Sequence, residues 1–201
     1  MAPYNFMHSD GKAGYLVTGT WAKKAASEAA IFGDIVEIGS SADKKFSYIP
    51  KNINISDNLN YIHFTSNNTI VGTQMKDIPK TKIPLICDMS SDIFSKKINF
   101  NQFSLIYAGA QKNLGPAGAT LIAVRKSALG KTSRLIPSML DYRKHINSES
   151  MFNTPPVFSV YTSLLTLRWI KKIGGLGVVE KQTDLKAKYI HEAVDRKALV
   201  R

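Results

Sequence analysis

Lys112 lies in Tyr-Ala-Gly-Ala-Gln-Lys-Asn-Leu-Gly-Pro-Ala-Gly, directly after the apolar run 104–110 (SLIYAGA). A lysine just past a buried strand and walled by small residues is placed to lose part of its hydration. Desolvation penalises the ammonium, lowers its pKa and frees a neutral amine to attack a carbonyl. A solvated loop lysine has the same local sequence. Asp88 stands near the end of a second apolar run, 83–89 (IPLICDM). An acid there emerges at the sheet edge where open α/β folds bind ligands, although a turn or helix-capping aspartate reads identically. Because Asp88 and Lys112 each close a strand, both are expected at one crevice. Weaker signals come from Trp21, at the start of an Ala-rich segment, and Thr69, in Ser-Asn-Asn-Thr. Asn153 and Thr154, before Pro155-Pro156, suit an anion at a helix start or a plain cap. The Gly-rich pieces 115–118 and 174–177 match neither a phosphate loop nor a dinucleotide fingerprint.

The elements that must position these residues follow from patterning. Residues 13–19 (AGYLVTG) read as a strand, 21–32 as an Ala-rich helix closed by Gly33, and 34–41 (DIVEIGSS) as an alternating strand. Polar, Pro- and Asn-containing residues 44–58 read as loop. Strands are expected at 61–66, 83–89, 104–110 and 119–125, the last after the turn at 115–118. Residues 83–87 and 121–124 are apolar without alternation, as strands covered on both faces tend to be. A helix is predicted over 157–170, with Val157, Val160, Tyr161, Leu164, Leu165 and Trp169 on one stripe. A Lys- and Glu-rich helical pattern then runs from Leu176 to Arg201. The resulting fold class is α/β, a mostly parallel sheet flanked by helices.

The 201 residues fit one domain, and the formal charge is +12, from 27 Lys and Arg against 15 acids. The cations are scattered in ones and twos without interleaved aromatics, which argues against nucleic acid and leaves a basic surface or small phosphorylated partners. Cys87 is the only cysteine, which excludes an internal disulfide and a Cys-cluster metal site, and the four histidines are far apart. No metal is expected. No apolar run approaches the roughly 20 residues of a membrane span, and none marks a signal peptide. A cytoplasmic protein is the expectation.

Residues 107–118 closely resemble the segment of phosphoserine aminotransferases whose lysine carries pyridoxal 5'-phosphate (PLP). Cys-Asp-Met-Ser-Ser (87–91) is similar to their aspartate segment and Ser-Met-Phe-Asn-Thr-Pro-Pro (150–156) to their phosphate-contact loop. Gly-Thr-Trp-Ala (19–22) and Ser-Asn-Asn-Thr-Ile (66–70) resemble two further pieces of that site. Five motifs in family order cover essentially the whole chain. The resemblance implies that Lys112 forms the Schiff base and then moves a proton as acid and base. Asp88 would pair with the pyridine nitrogen, Trp21 stack on the ring, Thr69 bond on its phenolic side and Gln111 contact the phosphate. Asn153 and Thr154 would reach the cofactor phosphate of a partner in a homodimer.

The implied reaction is reversible amino transfer. Glutamate and 3-phosphohydroxypyruvate give 2-oxoglutarate and O-phosphoserine in serine biosynthesis, with a related phosphorylated intermediate in pyridoxine synthesis as a further family substrate. The resemblance also implies that residues 1–201 are a PLP-binding large domain. The family's longer N-terminal segment, with a substrate-binding arginine and a glycine-rich loop, and its smaller C-terminal domain, with a further arginine, lie outside the match. Without those arginines, PLP binding at Lys112 is expected to survive while transamination is slow or absent, which makes a catalytically incompetent PLP-binding or dimer-forming remnant the second reading.

Overall fold

The structure, a computed structural model, describes residues 1–197. A short helix α1 (Ala2–Phe6) leads into β1 (Lys12–Val17), α2 (Thr20–Ala29) and β2 (Asp34–Ser40). The chain then passes through β3 (Tyr61–Thr65), the small hairpin β4 (Asn67–Asn68) and β5 (Thr73–Gln74), and β6 (Leu85–Asp88). It continues through β7 (Leu105–Gly109), β8 (Thr120–Val124), α3 (Tyr142–Asn147), α4 (Val157–Lys172) and α5 (Leu176–Lys197). The main sheet has the order β2-β1-β3-β6-β7-β8. Only β8 runs antiparallel to its neighbour. The expected mostly parallel α/β sheet is therefore present.

Every residue of β3 is buried, which explains why this strand shows no alternation of polar and apolar side chains. Leu16, Ile62, Phe64, Cys87 and Ile106 cover one face; Tyr15, Tyr61, Ile86 and Leu105 cover the other. Ile86 has no solvent exposure at the centre of this sheet. Ile86→Ala is expected to cost about 3 kcal/mol through lost transfer energy and a residual cavity, read as a lower urea midpoint at unchanged slope.

Several boundaries differ from the sequence reading for local reasons. The helix expected to reach residue 32 ends at Ala29: the Phe32 amide turns back to the Ala29 carbonyl at 2.9 Å instead of continuing the ladder, and the Phe32 carbonyl accepts from the Arg134 guanidinium. Arg134 also donates from Nε to the Met7 carbonyl at 2.9 Å, so one side chain ties two connections together. The strand expected from residue 83 begins at Leu85, after Pro84, which has no N–H to give a ladder. The Pro84 carbonyl still accepts from the Ile62 amide at 2.9 Å. The hairpin β4–β5, too short to pattern, was not legible.

Two apolar segments are placed contrary to expectation. Strand β8 is not covered on both faces: it pairs only with β7 and leaves Thr120 and Ile122 exposed. On α4 the stripe Val157, Val160, Tyr161, Leu164, Leu165 and Trp169 faces outward, and Ser159, Ser163 and Ile170 face in. The small serines decide this orientation. Ser159 Oγ donates to the Ala117 carbonyl at 2.6 Å, and a Cβ on Gly115 would meet Ser163 Oγ at 2.8 Å. Only a face of small side chains lets the helix approach the 115–118 turn this closely. The expected terminal helix is present to Lys197, and its continuation to Arg201 lies outside the described residues.

Candidate active site

The chain enters the sheet at β1, moves outward to β2 and returns on the other side at β3. Strand order therefore reverses between β1 and β3, the place where the carboxyl ends of open α/β sheets diverge and leave a crevice. Trp21 follows β1 there, and Thr69 follows β3. Asp88 ends β6, and Lys112 follows β7 by three residues. Gln111 precedes Lys112 in the same connection, so topology collects five of the seven candidate residues at one sheet edge.

Each is held by its own local device. The turn after Gly109 closes on Ala110, whose carbonyl accepts the amides of Leu114 at 3.1 Å and Gly115 at 2.7 Å. Leu114 is buried, and Asn113 donates from Nδ2 to the Ile93 carbonyl at 2.5 Å. Those anchors turn Gln111 and Lys112 outward, so the partial burial expected of Lys112 is not met and its side chain is exposed. Lys112 Nζ donates to Thr69 Oγ1 at 3.4 Å and lies 5.7 Å from the centre of the Trp21 indole. Lys24 Nζ lies 5.0 Å from the same ring, which makes the surroundings of the indole cationic. Trp21 keeps 46% of its surface exposed.

Thr69 is placed by a tight turn in which Gly72 donates to the Asn68 carbonyl at 2.9 Å with φ +70°, a left-handed conformation that glycine adopts without strain. Asn68 is buried and donates to Thr18 Oγ1 at 3.1 Å and Thr73 Oγ1 at 3.2 Å. It thereby joins the ends of β1 and β3. A Cβ on Gly19 would lie 2.5 Å from Asn68 Oδ1, so the residue before the Trp21 helix has to be small.

Asp88 is partly buried and accepts at Oδ1 from the Ser90 amide at 2.9 Å and the Ser90 hydroxyl at 2.6 Å. Ser90 Oγ in turn accepts from the Gly109 amide at 3.1 Å, so the aspartate is linked to the strand end that precedes Lys112. Both readings of Asp88 hold together: it makes a local Asx turn, and that turn presents a carboxylate at the crevice. Ser90, Asn68 and Gly19 are supporting residues that sequence reasoning did not single out. Asn68 sat beside Thr69 in the same motif, but its role becomes visible only when β1 and β3 are known to be neighbours.

Among the described residues, three candidates make no hydrogen bond to the other four. Gln111 is exposed and folds back against Gly109, where an added Cβ would lie 2.6 Å from Gln111 Oε1. Asn153 and Thr154 are exposed, and their one side-chain bond runs from Asn153 Nδ2 to the Thr154 carbonyl at 3.3 Å. Among the described residues, neither is hydrogen-bonded to Lys112, Thr69 or Asp88.

An amine, a hydroxyl, an indole face and a carboxylate thus lie at one sheet edge. The aminotransferase class-V family model matches residues 2–201. The chain belongs to the class-V aminotransferase family. It is 57% identical over 199 residues to the phosphoserine aminotransferase of Flavobacterium psychrophilum, covering 99% of this chain and 56% of that relative. It is 53% identical over 199 residues to that of Azobacteroides pseudotrichonymphae, covering 99% of this chain and 55% of that relative. Among solved structures, the phosphoserine aminotransferase of Bacillus circulans subsp. alkalophilus superposes with a TM-score of 0.92 at 43% identity, covering 96% of this chain and 54% of that one. A PLP-bound phosphoserine aminotransferase from Trichomonas vaginalis gives 0.90 at 32% identity, covering 98% and 56%. This class-V chain thus spans a little over half the length of the curated relatives it matches. No helix among the described residues is long and apolar enough to cross a membrane.

Proposed function

We propose that the chain is the PLP-carrying domain of a cytoplasmic phosphoserine aminotransferase. The observation that carries the reading is the meeting of Lys112, Thr69 and Trp21 at the topological switch point, with Asp88 joined to the same edge through Ser90 and Gly109. The names of the relatives support the substrate class.

In this reading Lys112 would hold the cofactor by its amine and would carry a proton to and from the substrate's α-carbon. Asp88 would keep the ring nitrogen protonated, Trp21 would cover the ring and Thr69 would bond on its phenolic side. Gln111 would contact the phosphate. The bound cofactor supplies the electron sink that makes the α-proton removable. Glutamate gives its amino group to 3-phosphohydroxypyruvate, leaving 2-oxoglutarate and O-phosphoserine, a step of serine biosynthesis and, with a related phosphorylated oxo acid, of pyridoxine biosynthesis. A basic chain suits substrates bearing phosphate and carboxylate groups.

Among the described residues Asn153 and Thr154 are not hydrogen-bonded to Lys112, Thr69 or Asp88, which fits their serving the site of a second copy. The outward apolar stripe of α4, immediately after them, offers a surface for that homodimer. The alternative, a PLP-binding fragment without turnover, draws support from the exposure of Lys112 and Trp21, since water-filled sites weaken the electrostatics on which proton transfer depends.

A single half-reaction separates the two readings. The PLP-loaded chain mixed with glutamate is expected to form 2-oxoglutarate up to the amount of bound cofactor, and Lys112→Ala to form none on the same timescale. Equal product from both proteins contradicts the assignment of Lys112. Cofactor binding without product from the parent favours the fragment reading.

A further inference from the structure

Below the site, His63 is almost completely buried on β3 and has no part in the roles described above. Its ring stacks on Tyr15 of β1, with centroids 4.8 Å apart and planes 25° apart, and on Tyr107 of β7 at 5.9 Å and 25°. His63 Nε2 and the Tyr107 hydroxyl are 2.9 Å apart, while Nδ1 has no partner. Among the described residues, the bond to Tyr107 is therefore its one side-chain hydrogen bond. Tyr107 is in turn the register partner of Asp88, and Thr65, two residues beyond His63, is Asp88's partner on the other side. Strand alternation turns His63, Tyr107 and Asp88 to the same face of the sheet.

We propose that His63 is a positioning residue for Asp88: by fixing Tyr107, the register neighbour of Asp88, it steadies the strand end from which the carboxylate would meet the ring nitrogen of bound PLP. The inference rests on the PLP reading above. Its physical logic is exclusion of a rival charge. A protonated imidazole beside Asp88 would neutralise the carboxylate that the cofactor nitrogen needs, and two partners cannot both take the full benefit of one anion. Burial opposes that protonation, outweighing the upward pull of Asp88 and pushing the imidazole down to about 4. Tyr15 and Tyr107 face the ring directly, and Tyr61 bonds Tyr15 Oη at 2.8 Å. Glu28 of α2 and Tyr142 and His145 of α3 line the cavity that His63 borders. A neutral histidine can thus brace the tyrosine without claiming the aspartate.

The test uses the full chain, titrated with PLP, with two readings: affinity, and the pH at which the bound cofactor's visible absorbance changes. His63→Phe keeps a stacked ring and deletes the bond, Tyr107→Phe deletes it from the other side, and His63→Gln returns an amide near the place of Nε2. His63→Phe and Tyr107→Phe are each expected to weaken PLP binding about tenfold, the scale on which partners that orient a ligating group act, and to move the absorbance transition by about one pH unit. The double variant should be no worse than either alone, and His63→Gln should recover most of the loss. Folded variants with unchanged affinity and transition overturn the inference alone. Failure of the parent chain to bind PLP overturns both the inference and the reading beneath it. If His63→Phe does not fold, Tyr107→Phe, which retains the histidine and the aromatic ring, decides the matter.

Discussion

Asp88→Asn is expected to weaken PLP binding by the chain about a hundredfold, close to 3 kcal/mol, the range for removing one member of a partly buried, hydrogen-bonded charge pair. The amide keeps the shape of the carboxylate and can still accept at Oδ1 from the Ser90 amide, now 2.9 Å away. The local turn should therefore survive, and the loss should report the missing charge. Ser90→Ala deletes only the 2.6 Å hydroxyl bond to Asp88 and the acceptor for the Gly109 amide. It should cost about tenfold or somewhat more, since a hydrogen bond to a charged group contributes about 1.5 kcal/mol or somewhat more. Fluorescence titration with PLP measures both. Equal affinities for Asp88→Asn and the parent would remove Asp88 from the cofactor site.

Stability should fall as the pH is lowered from 6.5 toward 4, and His63 should be a main cause. Its imidazole titrates near the ordinary value of 6.5 when unfolded and is pushed down to about 4 in the fold. Between those values the unfolded chain binds the proton and the native chain does not, so unfolding is favoured as pH drops. This contribution is fully present above 6.5 and is lost as pH falls through that window. The full separation corresponds to roughly 3 kcal/mol. Asp92, whose carboxyl burial pushes upward, has the opposite sign, so the diagnostic quantity is the difference between proteins. Urea midpoints across this range should fall steeply for the parent and distinctly less for His63→Phe. Parallel profiles would mean that His63 does not supply the slope.

The legible part of this molecule was what sits at the ends of strands. Lys112 and Asp88 follow apolar runs long enough to be strands, and residues that close parallel strands share one sheet edge whatever the strand order. What could not be read depends on order and facing. Asn68 joins β1 to β3, and His63 bonds Tyr107 across β6, pairings that no local pattern encodes. The α4 stripe misleads for a related reason. Periodicity shows that one helix face is apolar, but the contact with the 115–118 turn is chosen by Ser159 and Ser163, whose small size permits close approach. In β8 an apolar run suggested two covered faces, whereas its place at the end of the sheet leaves Ile122 exposed. Lys112 follows β7 as its sequence position implies but is exposed where partial burial is expected, because Leu114 and Asn113 anchor the turn and send the lysine outward.

The most direct test of the whole account is the address of the covalent bond. The chain is incubated with PLP, reduced with borohydride and digested, and the modified lysine is located by mass spectrometry beside Lys112→Ala. Label confined to Lys112, and absent from the variant, is the predicted result and places a working cofactor site at the carboxyl edge of this sheet. Label spread over the exposed lysines, or equal in both proteins, would contradict it.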